Sequence, residues 1–421
     1  MKGAPDWLPP DATAFDAVED AFLETARLAG YQRVRTPVFE HTEVFSRAVG
    51  ESTDVVQKEM YTFPDRGGRS LTLRPEGTAG VVRAALTAGV PRRERLPVKY
   101  VYAGENFRYE RPQAGRQRQF NQVGVEVLGS DDPHLDAEVV ILGWEALLRA
   151  GVSAEALTLR FNTLGDRGDR PGYHEVLNAY LETIDDLPPD VAERRHLNPL
   201  RAFDSKAPGM VEAMSSAPLL ADHIGDAAKN HHAVVTDLLE AEGVPVTHDL
   251  RLVRGLDYYT RTTFEYQVAG LGAQDALGGG GRYDGLAEDL GWSERLPGIG
   301  WALGVDRTLL ALQRAGRSSG QRPRVAVFVV AGAADLAGQA LHLVQQLRRA
   351  GVATDMGWDG RSMKHQLKSA DAAGAAHAVI LGRREVDAGV ATVKDLQSGG
   401  QAEIDRDEVV THLAASHAAP S

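Results

Sequence analysis

Residues 104–126, GENFRYERPQAGRQRQFNQVGVE, decide how this chain folds. The stretch predicts two strands, over about 98–110 and 118–128, joined by a long polar loop. Pro112, Ala114 and Gly115 interrupt regular pairing between the strands, so the tip of the hairpin is expected to be a loop.

Side chains alternate between the two faces of such a hairpin. Val123, Val125 and Val127 share one face of the second strand, which should belong to the core. The other face, where Gly124 leaves room, carries Arg108, Glu110, Gln122 and Glu126. Four arginines, at 108, 111, 116 and 118, surround the loop. This composition suits a small charged ligand together with a polyphosphate or nucleic acid, although a solvated hairpin explains it equally well.

Composition limits the class of protein. The 421 residues predict two or three domains, and 43% hydrophobic and 25% charged residues are typical of a soluble globular protein. Cysteine is absent, which excludes disulfides and thiolate chemistry and favours a reducing, cytoplasmic location. We find neither a signal peptide nor an apolar run of membrane length, so no membrane association is expected. The net charge of −12 means that any surface for nucleic acid must be local.

The first part of the chain alternates helices and strands. Apolar spacing predicts helices over 12–30 and 134–150 and a strand over 157–161. Residues 31–39 predict a strand that Pro37 interrupts, as at a sheet edge or a turn.

The segment Arg74-Pro-Glu-Gly-Thr-Ala79 follows a predicted hairpin formed by residues 60–63 and 70–73. Its proline and glycine expose the backbone around Glu76 and Thr78, and Thr78 should lie at a helix N-terminus. On these residues alone, a capping segment is the simpler interpretation.

Residues 168–240 are polar, rich in proline and of broken periodicity. They predict a helical insertion between strands of the main sheet. His231 and His232 are adjacent and cannot share one helical face, so we expect solvated side chains there and no metal site.

The sequence RLVRGLDYY at 251–259 leads into a predicted strand over 260–268. Arg254, Asp257 and two tyrosines form a compact polar cluster, and Gly255 would let a ligand approach the backbone. A structural ion pair between Arg254 and Asp257 is an equal alternative.

Two further motifs follow. GGGGRYDG at 278–285 should form a loop, but no Gly-Lys-Ser/Thr follows, so it is not a phosphate-binding P-loop. PGIGWALGVDR at 297–307 enters a helix that projects Arg307 from its first turns.

A separate unit follows a predicted linker at 314–323. Its strands and helices alternate, which predicts a mostly parallel sheet covered on both faces. The predicted strands are 325–330, 352–355, 377–381 and 390–394, with helices near 336–347 and 362–373.

Taken in order, these motifs resemble those of histidyl-tRNA synthetases, within the class II aminoacyl-tRNA synthetases. The resemblance spans the motif 1 segment around Pro37, the histidine loop at 74–78, motif 2 at 107–120, the signature at 254–259, the loop at 280–285 and motif 3 at 297–307. It implies an α+β catalytic domain over 1–320, with a mostly antiparallel sheet flanked by helices. The helical insertion lies at 168–240, and an α/β anticodon-binding domain at 321–421.

The resemblance implies a homodimeric enzyme that activates L-histidine with ATP and transfers it to the 3′ end of tRNA(His). Mg²⁺ would accompany the pyrophosphate, with no resident metal. Arg254 and Arg108 would be catalytic. The implied histidine-binding residues are Glu76, Gly77, Thr78, Arg108, Gln122, Glu126, Arg254, Tyr258, Tyr259 and Tyr283. Those for ATP are Arg108, Glu110, Arg116, Phe120 and Arg307, and those for the tRNA acceptor end are Arg111 and Gln113.

Two other functions remain as alternatives. A catalytically silent paralogue could bind histidine and regulate another enzyme, but such proteins, by resemblance, usually lack the signature and the anticodon domain. A generic nucleotide-binding α/β protein would not explain four motifs in this order.

Overall fold

The computed structural model describes residues 1–50, 53–205, 207, 209–271, 275–317, 325–358 and 360–417. The chain forms two compact units, residues 1–320 and 321–421. Of the predicted linker, residues 318–323 lie outside the described residues. No helix in the described part is long and apolar enough to cross a membrane.

The first unit has eleven strands and eleven α-helices among its described residues. The strands are β1 (Gln32–Arg33), β2 (Phe39–His41), β3 (Thr62–Pro64), β4 (Ser70–Leu73), β5 (Val98–Phe107), β6 (Gln119–Leu128), β7 (Leu157–Thr163), β8 (Val246–His248), β9 (Thr260–Val268), β10 (Ala276–Arg282) and β11 (Gly298–Gly304). The helices are α1 (Asp11–Leu28), α2 (Thr42–Val49), α3 (Thr78–Thr87), α4 (Val90–Arg93), α5 (Pro133–Arg149), α6 (Arg170–Leu181), α7 (Pro189–Arg194), α8 (Met210–Ser215), α9 (Asp226–Ala241), α10 (Leu286–Asp289) and α11 (Val305–Arg314).

Eight strands form the main sheet, in the order β1-β5-β6-β11-β10-β9-β7-β8. Only the edge strands β1 and β8 pair in parallel, so the expected mostly antiparallel sheet is confirmed. The predicted hairpin is its β5–β6 pair, in register from Val98 opposite Leu128 to Phe107 opposite Gln119.

The valine face of β6 is core, as predicted. Val123, Val125 and Val127 are fully buried in the same apolar cluster as Phe22 of α1 and Trp301 of β11. Because this face is covered by helices, the opposite, polar face of β6 remains for a site.

The strand predicted over 31–39 is divided by Pro37 into β1 and β2. β2, β4 and β3 form a separate three-stranded sheet, which includes the predicted hairpin of 60–63 and 70–73. β4 leads directly to α3, which begins at Thr78 as expected.

The insertion contains α6 to α9 with short 3-10 turns between them. His231 of α9 is buried rather than solvated, so that expectation was wrong. Its Nε2 lies 2.8 Å from Asp136 Oδ2 on α5, and Asp136 also pairs with the fully buried Arg282. This buried network joins the insertion, through Asp136, to Arg282 at the end of β10, directly before Tyr283.

The glycine run 278–281 lies in β10, whereas the sequence suggested a loop. Glycine is a poor strand former in isolation, but here strands approach closely on both sides. A Cβ on Gly280 would overlap the carbonyl oxygen of Gly300, and one on Gly279 would overlap that of Phe264.

The second unit has five strands in the order β13-β12-β14-β15-β16. The strands are β12 (Val327–Ala331), β13 (Thr354–Met356), β14 (His377–Leu381), β15 (Val390–Asp395) and β16 (Gln401–Asp405), and the helices are α12 (Ala337–Arg349), α13 (Met363–Ala372), α14 (Arg383–Asp387) and α15 (Val409–His417).

This second sheet is mixed rather than mostly parallel. β12 pairs in parallel with β13 and β14, but β14, β15 and β16 are antiparallel. The connection from β14 to β15 is too short for a parallel crossover, which needs a dozen residues or more. The expected α/β character of this unit is nevertheless confirmed.

Candidate active site

A cleft of about 560 Å³ lies on the polar face of the main sheet. It brings together segments that are far apart in sequence: the start of α3, the β5–β6 hairpin, the 254–259 turn, β10, β11 and the start of α11. The predicted residues that line it are Glu76, Gly77, Thr78, Arg108, Glu110, Arg116, Phe120, Gln122, Arg254, Tyr258, Tyr259, Tyr283 and Arg307.

Glu126 lies beneath the cleft floor and is fully buried. Its carboxylate accepts hydrogen bonds from Thr78 Oγ1 at 2.7 Å, Tyr102 OH at 3.1 Å and Tyr283 OH at 2.5 Å. Burial raises the pKa of Glu126 to about 8, although these hydrogen bonds favour the ionised form. The site therefore holds an acid that is mostly protonated near neutral pH.

Glycines provide the space for this arrangement. A Cβ on either Gly77 or Gly124 would overlap the ring of Tyr102, and one on Gly300 would overlap the carboxylate of Glu126. The sequence had assigned no role to Tyr102. The sequence feature that could have identified Tyr102 is its position directly opposite Gly124 in the hairpin register.

Glu76 caps α3. Its carboxylate accepts hydrogen bonds from the backbone N–H groups of Thr78 at 2.6 Å and Ala79 at 2.9 Å. The capping interpretation of residues 74–79 is therefore confirmed. Glu76 also lines the cleft, so it can cap α3 and still contact a ligand. Burial raises the pKa of its carboxyl group.

Three buried tyrosines close one side of the cleft. The ring centroids of Tyr258 and Tyr259 are 4.6 Å apart, and those of Tyr258 and Tyr283 are 5.8 Å apart. Burial raises the pKa of each hydroxyl, so all three remain hydrogen-bond donors at neutral pH.

The hairpin contributes two arginines to the cleft. Arg108 donates from Nε to the Pro75 carbonyl at 2.9 Å, and its guanidinium lies 5.5 Å from the centroid of the Phe120 ring. Arg116 Nε lies 2.6 Å from Glu110 Oε2. Two residues predicted to contact the same ligand therefore pair with each other.

Arg307 joins the hairpin loop to β10. Its Nε donates to the carbonyl of Gly115 at 2.7 Å, and its Nη1 donates to that of Ala276 at 2.8 Å. The start of α11 thereby fixes one wall of the cleft.

Arg254 forms an ion pair with Glu265 of β9. Asp257 binds the insertion: it accepts from Arg201 Nη2 at 2.5 Å and from Asn198 Nδ2 at 2.8 Å. The insertion thus holds the turn that presents Arg254. Sequence analysis missed Glu265. Side chains alternate along a strand, so Glu265 shares a face of β9 with Thr263 and Gln267, and this alternation could have identified it.

Arg111 and Gln113 lie outside the cleft, exposed at the hairpin tip. Gln113 and Arg116 exchange backbone hydrogen bonds of 3.0 and 2.9 Å, which close the loop. Among the described residues, no group of three or more His, Asp or Glu side chains could hold a metal ion.

The matches to known protein families divide the chain into the same two parts as the structure does. A family model described as histidyl-tRNA synthetase matches residues 3–308, and one described as anticodon binding domain matches residues 324–416. This chain belongs to the histidyl-tRNA synthetase family.

Similar proteins cover nearly the whole chain. A histidine–tRNA ligase of Corynebacterium jeikeium is 50% identical over 413 residues, 98% of this chain and 92% of the relative. One from Nocardia farcinica is 50% identical over 409 residues, 97% of this chain and 96% of the relative. The crystal structure of apo Staphylococcus aureus histidyl-tRNA synthetase has a TM-score of 0.80 at 33% identity, covering 98% of this chain and 99% of the other.

The raised pKa of Glu126 predicts a pH-dependent stability. The folded protein retains this proton up to about pH 8, whereas an unfolded glutamate releases it near 4.5. Its contribution is therefore fully present below about pH 4.5 and is lost as pH rises through about 8. Glu126→Gln cannot ionise, so its melting temperature relative to that of the parent should rise as the pH increases from about 4.5 to about 8, the interval between the two pKa values.

Thermal melting at several pH values checks this. The exposed Glu294, changed to Gln, is the matched control and should show no such trend. A difference between Glu126→Gln and parent that stays constant across this pH range would contradict the buried-acid assignment.

Proposed function

We propose that this protein is a histidine–tRNA ligase. It activates L-histidine with ATP, releasing pyrophosphate, and then transfers histidine from the adenylate to the 3′ end of tRNA(His). The observation that carries the proposal is the buried Glu126 with its three hydroxyl partners, beneath a cleft edged by arginines. Membership of the histidyl-tRNA synthetase family supports it.

The acidic end of the cleft would bind histidine. Buried carboxylates and tyrosine hydroxyls suit an ammonium group and an imidazole N–H donor. A cationic amine beside Glu126 would favour the ionised acid and displace its proton. The proposed set is Glu76, Gly77, Thr78, Gln122, Glu126, Tyr258, Tyr259 and Tyr283, with Arg108 and Arg254 facing the substrate carboxylate.

The basic end would bind ATP. An oxygen of the histidine carboxylate attacks the α-phosphorus, a P–O bond forms to the amino acid, and the bond to pyrophosphate breaks. Both reactants are anionic, so catalysis depends on positioning and on neutralising charge at the phosphoryl group. Arg108 and Arg254 are the proposed clamps, since a guanidinium can bind two oxygens at once.

The remaining ATP contacts follow the wall of the cleft. Phe120 and Arg307 would enclose the adenine and Glu110 would contact it, while Arg116 would leave Glu110 to hold the outer phosphates. Mg²⁺ would enter with ATP. The carboxylates in the cleft are too dispersed to hold it alone, so phosphate oxygens and water would supply most of its ligands.

The tRNA would contact both units. The exposed Arg111 and Gln113 at the hairpin tip would meet the acceptor end, and the unit over 321–421 would bind the anticodon. We also propose that residues 1–320 form the catalytic domain, interrupted by the insertion at 168–240, and that the enzyme works in the cytoplasm.

Pyrophosphate exchange tests the function through Arg254. The parent should exchange pyrophosphate into ATP in the presence of histidine and of no other amino acid. Arg254→Ala should lose this exchange by roughly 10²–10³-fold, because a preorganised donor acts mainly on the transition state. Histidine binding should change by less than about tenfold, and Arg254→Lys should recover only part of the rate.

Arg27→Ala is the matched control, since Arg27 pairs with Glu24 on the exposed side of α1. Exchange at the parent rate in Arg254→Ala would refute the catalytic role. A parent without histidine-dependent exchange would favour the regulatory paralogue instead.

We further propose a homodimer formed through the three-stranded sheet. Phe39 lies opposite Leu73, and Phe63 opposite Leu71, so these four side chains share one face. Phe39 is 52% and Phe63 41% exposed. Apart from His41, which lies opposite Leu71, this face is apolar and suits a self-complementary twofold contact.

Sedimentation at micromolar concentration should give a mass near twice 45.4 kDa. Phe39→Glu combined with Phe63→Glu should shift it to the monomer, because four charges would face one another across the twofold axis. Val211→Glu, at an exposed apolar position of α8, should leave the mass unchanged. A parent that sediments as a monomer would refute the proposal.

A further inference from the structure

We infer that the second unit contains a pocket for one unstacked RNA base, formed around Trp358. The inference rests on the proposed function and specifies how the second unit would recognise tRNA. Its basis is a cavity of about 380 Å³ between the end of β13 and α13. The residues that matter here are Asp355, Trp358, Arg361, His365 and Gln366.

Trp358 is the exposed member of the chain's five tryptophans. Its side chain is 54% exposed, whereas Trp7, Trp144, Trp292 and Trp301 are buried or half-buried. Large aromatic side chains normally gain stability by burial. An aromatic ring left open at the rim of a base-sized cavity is instead what a stacking platform requires, because every nucleobase has a flat apolar face.

The cavity is held by contacts independent of any ligand. Gln366 is buried, and its amide group accepts from Ala331 N–H at 3.0 Å and donates to the Ala331 carbonyl at 2.9 Å. It also donates to the Arg361 carbonyl at 2.7 Å. Trp358 Nε1 donates to Asp355 Oδ1 at 3.4 Å. These bonds fix α13 against β12 and orient the ring, so the pocket is preformed.

The charge beside the cavity favours RNA as the ligand, although one acid, Asp355, lines the cavity and accepts from Trp358 Nε1. The whole chain carries −12, yet residues 361–368, RSMKHQLK, contain three cations, one histidine and no acid. Arg361, Lys364, His365 and Lys368 are all exposed. Cations beside an exposed aromatic ring would hold the phosphates that flank a stacked base. An apolar peptide would not need them.

The test compares two activities of the full-length protein. Trp358→Ala should raise the KM for tRNA(His) in aminoacylation by roughly 5- to 100-fold, the range expected for loss of one base stack. Histidine-dependent pyrophosphate exchange, which needs no tRNA, should stay at the parent rate. Trp358→Phe keeps a stacking ring and should retain most of the affinity. Leu341→Ala, at a 40% exposed apolar position on α12, is the matched control.

Fluorescence provides a readout that does not depend on the alanine variant folding. An RNA stem-loop carrying the tRNA(His) anticodon should quench tryptophan emission of the parent, and Trp358→Phe should lose that quenching while still binding the RNA. Normal exchange with an unchanged tRNA KM in Trp358→Ala, or equal quenching of parent and Trp358→Phe, would refute the pocket and leave the proposed function intact. A parent without histidine-dependent exchange would refute the proposed function itself.

Discussion

The buried carboxyl group of Glu126 is the constraint on which the cleft depends. A carboxylate without solvent is unfavourable unless hydrogen bonds or a cation compensate for the lost water. Here three hydroxyl groups converge on it, and glycines at 77, 124 and 300 leave room for those groups and for the carboxylate. An apolar residue would fill this position without such support, and the buried acid is chemically suited to the cationic ligand proposed above.

The hairpin that carries Glu126 also positions basic groups of the cleft. In the β5–β6 register Glu126 and Gln122 lie on the polar face, and Arg108 directly follows the end of β5. One hairpin therefore supplies both the acidic and the basic ends of the cleft. The turn that carries Arg254 is held separately, through Asp257, by Asn198 and Arg201 of the insertion. The insertion therefore positions a catalytic candidate. We expect a displacement of the insertion to change the position of Arg254.

Local patterns predicted the parts of this structure that depend on local rules. Alternation identified the buried valines of β6, and the helix-start signal placed Thr78 at the N-terminus of α3. Features that depend on distant partners were missed. Gly278–Gly281 form a strand whose neighbouring backbones leave no room for a side chain, so only glycine fits there. His231 can be buried because Asp136, on another helix, is its hydrogen-bonding partner. The Arg254–Glu265 pair is likewise invisible until β9 is placed beside the signature turn.

Proton release on histidine binding tests the role of Glu126 most directly. At pH 7 the free site should hold a protonated Glu126, since its pKa is about 8, and a bound ammonium group should displace that proton. Calorimetry in two buffers of different ionisation enthalpy should therefore show release of about one proton per histidine, a release that Glu126→Gln lacks. Histidine binding to the parent with no exchange of protons would contradict the account.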